Sequence, residues 1–193
     1  MISNICFATA NQHKLTEVRG LLPGVAIAGL ADIGCAEVIP EDFETLRENA
    51  EQKARFVFNS YGISCFADDS GLEVSSLNGA PGVHSAYYGG PERSHEKNTA
   101  RLLQELKNSE NRKARFVTVI ALVLNGELYF FEGELRGVIT ETPTGSGGFG
   151  YDPVFIPEGE TRTLAEMTMT EKNAISHRAI AVKKLTEFLR TVF

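Results

Sequence analysis

Residues 115–124, largely apolar, and 127–138, which mix apolar with charged residues, are joined by Asn125-Gly126, a dipeptide that accepts the positive φ angles of a two-residue hairpin turn. They predict a pair of long antiparallel strands, so neither an all-helical fold nor a purely parallel sheet fits. Upstream, strands and helices alternate. The run 5–9 breaks at Asn11 into a segment with Leu15, Val18 and Leu22 at helical spacing, and 25–30 reads as a second strand. Residues 45–61 predict a helix, because Leu46, Ala50, Ala54, Val57 and Tyr61 share one sector at about 100° per residue. Residues 63–67 read as an inner strand ended by Asp68-Asp69-Ser70-Gly71. Glycines and prolines then punctuate a long loop as far as Pro91. Ser94 is placed to cap a helix carrying Ala100, Leu103 and Leu106. A last helix from Ser176 presents Ala179, Val182, Leu185, Leu189 and Phe193 on one face. Alternation followed by a hairpin predicts an α/β fold with a mixed central sheet.

The length of 193 residues fits one domain over 1–193, at about 100 to 200 residues per domain. With 42% hydrophobic and 23% charged residues, disordered and coiled-coil readings fall away. No apolar run approaches the roughly 18 residues of a membrane helix, and Met1-Ile2-Ser3-Asn4 opens no signal-type stretch. A soluble, cytoplasmic chain without a membrane partner is therefore expected. Cys6, Cys35 and Cys65 have neither zinc-site nor disulfide-framework spacing, which predicts buried thiols. The formal charge of −6 has the wrong sign for a general nucleic-acid binder. An anionic ligand would need a local cluster of cations.

Such a cluster is visible in outline. The loop from Thr9 to Lys14 follows a strand and opens a helix, so unpaired backbone N–H groups and the positive dipole end meet there. Thr9, Asn11 and Lys14 could serve an anion, and Asn11 could equally be a plain N-cap. Lys53 falls within the apolar sector of its helix, where a lysine either snorkels to water or faces a cleft. Asp68 and Asp69 are adjacent carboxylates at the edge of a core, an arrangement that calls for a cation or a proton. Mg²⁺ is the natural compensator, a hard ion held by one or two carboxylates with substrate phosphates and water, although an Asx turn would also explain the pair. Successive strand residues face opposite ways, so the two aspartates have different tasks. Glu41, Asp42 and Glu44 precede a helix, where they serve either a metal or the helix dipole. Residues 145–152 form a glycine-rich cradle with Phe149 as an aromatic face. His177 and Arg178 stand at a helix start, against the dipole, which hints at an acceptor nearby.

These blocks occur in one order: Thr9-x-Asn11-x-x-Lys14, Glu41, Glu48-Asn49-Ala50 through Lys53-Ala54, Ala67-Asp68-Asp69-Ser70-Gly71-Leu72, Gly79-Ala80-Pro81-Gly82-Val83-x-Ser85-Ala86, Gly147-Gly148-Phe149-Gly150-Tyr151-Asp152-Pro153 and Glu171-Lys172-Asn173-x-Ile175-Ser176-His177-Arg178. Together they resemble the inosine triphosphate pyrophosphatase family, over nearly the whole chain. Tyr87, Ala10 and Asp42-Phe43 depart from its common pattern. The resemblance implies a long mixed sheet flanked by helices, with two lobes around a nucleotide cleft, in a homodimer. It implies Mg²⁺-dependent hydrolysis of the non-canonical purine nucleoside triphosphates ITP, dITP, XTP and dXTP to monophosphate and pyrophosphate, which cleanses the nucleotide pool.

Carried over to this chain, the resemblance places phosphate contacts on Thr9, Asn11, Lys14 and Lys53, and the metal on Glu41 and Asp69. It gives catalysis to Asp69 with Asp68 beside it. It puts Ser70, Phe149, Gly150, Tyr151, Asp152, Lys172, His177 and Arg178 at the nucleotide. Two rivals remain at this stage: a nucleotide sensor that does not hydrolyse, and a Maf-like pyrophosphatase acting on other nucleotides.

Overall fold

A computed structural model describes residues 5–22 and 25–192. Met1-Ile2-Ser3-Asn4 and Phe193, used in the sequence reading, lie outside the described residues. Strand β1 (Ile5–Phe7) lies parallel to β2 (Ile27–Ala28) and to β3 (Cys65–Val74), with Cys6 opposite Ala28 on one side and Cys65 on the other. The hairpin forms as its turn residues require. β5 (Lys113–Leu124) and β6 (Glu127–Ile139) meet at Asn125 and Gly126, whose φ angles are 52° and 88°. β4 (Pro81–Gly82) pairs antiparallel with β3, and β7 (Phe155–Pro157) antiparallel with β6. The strand order is β2-β1-β3-β5-β6-β7, with β4 attached to β3, so the sheet is mixed.

Five helices accompany it among the described residues: α1 (Gln12–Leu21), α2 (Leu46–Tyr61), α3 (His95–Glu105), α4 (Met169–Ile175) and α5 (His177–Val192). Thr45 caps α2 by accepting from Glu48 N–H, and Gly62 ends it in the left-handed conformation. The predicted apolar face of α2 is buried at Leu46, Ala50, Ala54 and Val57, while Tyr61 is half-buried. Ser94 caps α3 as expected. Its buried face, however, is Asn98, Thr99 and Leu102, and Ala100 is exposed.

The packing separates the chain into two units. The first draws its described residues from Met1–Asp69, Thr118–Gly133 and Arg178–Phe193, the second from Ser70–Val117 and Glu134–His177. In the first, Phe7 and Phe66 stack at 4.7 Å in a core with Val18, Ile120, Leu122, Val182, Leu185 and Leu189. In the second, Leu72, Leu102, Leu106, Phe116, Phe155 and Leu164 form a separate core. No helix among the described residues is long and apolar enough to cross a membrane. All three cysteines are free and buried. Burial pushes the thiol of Cys6 up to about 11 and that of Cys65 up to about 12.

The predicted strand end is corrected. β3 does not stop before Asp68 but carries Asp68-Asp69-Ser70-Gly71 as strand residues and runs on to Val74. Gly71 allows this, since a Cβ there would come 2.4 Å from the carbonyl oxygen of Gly82, where β4 crosses. Ser85 completes the crossing: its Oγ accepts from Leu72 N–H at 2.9 Å and donates to Gly82 O at 2.6 Å. Gly71→Ala should therefore destabilise the protein by about 1–3 kcal/mol through overpacking, read as a lower denaturant midpoint. An unchanged midpoint would show that β4 can move aside.

Candidate active site

The residues of the first unit converge from four segments. Asn11 is the N-cap of α1: its side-chain oxygen accepts from His13 N–H at 2.9 Å and Lys14 N–H at 3.2 Å. Thr9 Oγ1 accepts from Asn11 N–H at 3.1 Å, which ties the loop after β1 to the helix start. The N-cap reading of this loop holds, and the cap fixes the turn that presents Lys14. Lys14 Nζ reaches Asp68 Oδ1 at 3.0 Å, and Arg178 Nε reaches Asp68 Oδ2 at 3.2 Å. Arg178 Nη1 also donates to Glu17, a buried residue of α1.

Alternation along β3 sends Asp69 to a different set of partners. Lys53 Nζ lies 3.3 Å from Asp69 Oδ1 and 2.6 Å from Glu41 Oε1, so two carboxylates share one ammonium. Lys53 does not snorkel; it is buried, with its charge spent on this pair. The loop bearing Glu41 is pinned to α2 through the two residues that follow it. Asn49 accepts from Phe43 N–H and donates to Phe43 O, each at 2.9 Å, while Gln52 exchanges two hydrogen bonds with Asp42.

The adjacent aspartates are driven apart electrostatically. Burial works against the charge of Asp68, but Lys14 and Arg178 outweigh it and hold this carboxyl well below the usual range. For Asp69 burial prevails over the help of Lys53, and Glu41 and Asp68 add to it, so its pKa is raised. Burial also works against Lys53, where Asp69 and Glu41 win and the pKa is raised. The site therefore sets a carboxylate whose charge its cations favour beside one whose charge burial disfavours.

The second unit holds the other set. Asp152 organises it: its Oδ2 accepts from Phe149 N–H at 2.8 Å and from Lys172 Nζ at 2.7 Å. Gly148, with φ of 69°, is required by that approach, because a Cβ would come 2.1 Å from the same oxygen. Lys172 stands 4.6 Å from the centre of the Phe149 ring, a cation–π contact. Gly150 follows with φ of 65°. His177 stacks on Phe116 at 4.7 Å and an interplanar angle of 9°.

Burial bears on two of the residues assigned to the nucleotide. Tyr151, assigned to the nucleotide, is buried in the second core, with its hydroxyl donating to Ser85 O at 2.9 Å; burial raises its pKa. Its ring holds the loop rather than presenting a face. Arg178 is 2% exposed and spends guanidinium donors on Asp68 and Glu17, so its first task is to fix a carboxylate. Ser70 follows Asp69 in β3. Glu17 and Gln52 were missed by sequence reasoning, and Asn49 and Ser85 stood within the motif blocks without a task of their own.

Opposite responses of the two aspartates to neutralisation follow. Asp68→Asn strands buried cations and should cost about 3–5 kcal/mol, whereas Asp69→Asn should leave stability without ligand equal or higher. Denaturant midpoints of the two variants decide it, and equal losses would refute the division. The pH dependence has a definite sign. Because the native pKa of Asp68 is depressed, its contribution is fully present above the unfolded value of about 3.9 and is lost as pH falls through the native value.

Residues 5–188 match the family model described as Ham1 family. The chain is 53% identical over 190 residues to the dITP/XTP pyrophosphatase of Porphyromonas gingivalis, covering 97% of this chain and 98% of that one. It is 50% identical over 186 residues to the Christiangramia forsetii protein of the same name, covering 96% and 98%. Among solved structures, the Staphylococcus aureus Ham1 protein superposes with a TM-score of 0.90 at 35% identity, covering 99% of this chain and all of that one. A HAM1 protein from Coxiella burnetii gives the same score and identity over 98% and 99%. A family match across nearly the whole described chain, relatives at half identity and the same fold lead to one conclusion: this chain belongs to the Ham1 family.

Proposed function

We propose that the chain hydrolyses non-canonical purine nucleoside triphosphates, with ITP, dITP, XTP and dXTP as substrates, to the monophosphate and pyrophosphate. In this way it clears deaminated purines from the nucleotide pool. Relatives named dITP/XTP pyrophosphatase support the reading. The observation that carries it is the contrast between Asp68, fixed as an anion by Lys14 and Arg178, and Asp69, which shares Lys53 with Glu41 and keeps a raised pKa.

The donor set fits Mg²⁺. Glu41 and Asp69 already converge on one cationic centre, and two carboxylates completed by phosphate oxygens and water are what this ion takes. When bound, the ion neutralises charge on the phosphates. Glu41 and Asp69 would hold it. Lys14 and Lys53 bring positive charge to the triphosphate, joined by Thr9, Asn11 and the N–H groups at the start of α1.

Asp69 accepts the proton from a water that attacks the α-phosphorus as the bond to the β-phosphate oxygen breaks, and pyrophosphate leaves. Asp68, kept ionised, holds Lys14 in place. Phe149 serves as the platform for the base, with Lys172 and Asp152 fixing it and with Ser70, Gly150, His177 and Arg178 assigned to the nucleotide. A donor aimed at a 6-keto oxygen is left unpaired by adenine, which is worth about one to two decades of discrimination. The working form in this reading is a cytoplasmic homodimer.

A panel of triphosphates tests the reading. Pyrophosphate release from ITP, dITP and XTP should exceed that from ATP by about tenfold or more in kcat/KM. Release of orthophosphate, or no hydrolysis of any of them, would overturn it. Asp69→Asn is nearly isosteric and cannot accept the proton, so kcat should fall by about 10²- to 10⁴-fold while nucleotide binding persists. Retention of more than about a tenth of the turnover would move the acceptor to another group.

A further inference from the structure

His95 is an exposed histidine at the first position of α3, and neither its spacing nor the mechanism above gives it a task. Its imidazole lies with its centre 6.2 Å from the Phe149 ring at an interplanar angle of 41°. Among the described residues Phe149 is its ring partner, and the imidazole makes no hydrogen bond. An exposed ring with such freedom beside the aromatic platform of the site is not held there by the core.

The backbone beneath it, by contrast, is fixed. Ser94 accepts from Lys97 N–H and starts the helix at His95. One turn on, Asn98 is buried and accepts from Gly89 N–H at 2.6 Å while donating to Ala86 O at 2.9 Å. Phe149 is fixed as well, by Asp152. Two aromatic rings thus stand on rigid supports, one of them free to turn.

We propose that His95 forms the second wall of the purine site, its imidazole stacking on the base that rests on Phe149. The inference depends on Phe149 being the base platform. A purine held between two rings needs their centres about 7 Å apart, twice the optimal carbon contact of about 3.5 Å. The observed 6.2 Å is short of that by less than an ångström, and rotation of a side chain without hydrogen bonds supplies the difference. Stacking does not discriminate among purines, so His95 contributes affinity for the base and leaves the choice of base to the hydrogen-bonding groups.

Binding of inosine monophosphate by calorimetry tests this, with inorganic tripolyphosphate as the probe that lacks a base. His95→Ala should weaken inosine monophosphate binding by about 5- to 100-fold. It should leave tripolyphosphate affinity and the melting temperature unchanged. His95→Phe, which restores a ring, should recover most of the loss. Unchanged inosine monophosphate binding in His95→Ala, equal weakening of tripolyphosphate, or failure of His95→Phe to recover would each overturn the proposal. So would a wild-type protein that does not bind inosine monophosphate. A wild type that binds inosine monophosphate but releases no pyrophosphate from ITP would refute the catalytic reading alone, and the same variants would still decide the role of His95.

Discussion

Asp68 is an anion that the fold has enclosed, and much of the first unit is arranged to make that tolerable. Removing a carboxylate from water costs several kcal/mol even after relaxation, so the charge persists only because partners arrive with good geometry. Lys14 comes from the capped start of α1 and Arg178 from the start of α5, a residue 110 positions away in sequence. Glu17 then balances the second cation. Four charges of alternating sign link two helices to the strand that also carries Asp69.

That enclosure gives the neighbouring aspartates different electrostatic surroundings. A single strand step separates them, yet one is saturated with cations and the other shares a single lysine with Glu41. The separation comes from strand alternation, the simplest periodicity in protein structure. Where two titratable groups are pushed apart in this way, acid–base work is assigned to the one left unsatisfied.

The sequence was most legible where local chemistry decides the outcome. Asn125-Gly126 announced the hairpin, and Asn11 and Ser94 are helix caps recognisable from their side chains. It misled where distant residues decide. Carboxylates at 68 and 69 read as a strand end because their compensating cations lie elsewhere in the chain. α4 rests on the reciprocal hydrogen bonds of Thr168 and Glu171, a short signal with little apolar periodicity behind it. β4 is two residues long and depends on a glycine opposite it in β3. The glycine-rich stretch was read as a loop, which it is, but the tasks of the residues within it were not distinguishable. A buried tyrosine and a half-buried phenylalanine look alike until the core beneath them is known.

Cys6 and Cys65 are register partners on neighbouring parallel strands, both fully buried, and their thiols have ionisation pushed far above neutral pH. A thiol that stays protonated and out of contact with solvent is a poor nucleophile. Alkylating reagents and mild oxidants therefore find nothing to attack at these two positions while β1 and β3 remain paired. Their chemical silence becomes a property of the folded sheet, and the first appearance of modified Cys6 or Cys65 marks the parting of β1 from the strand that carries the two aspartates.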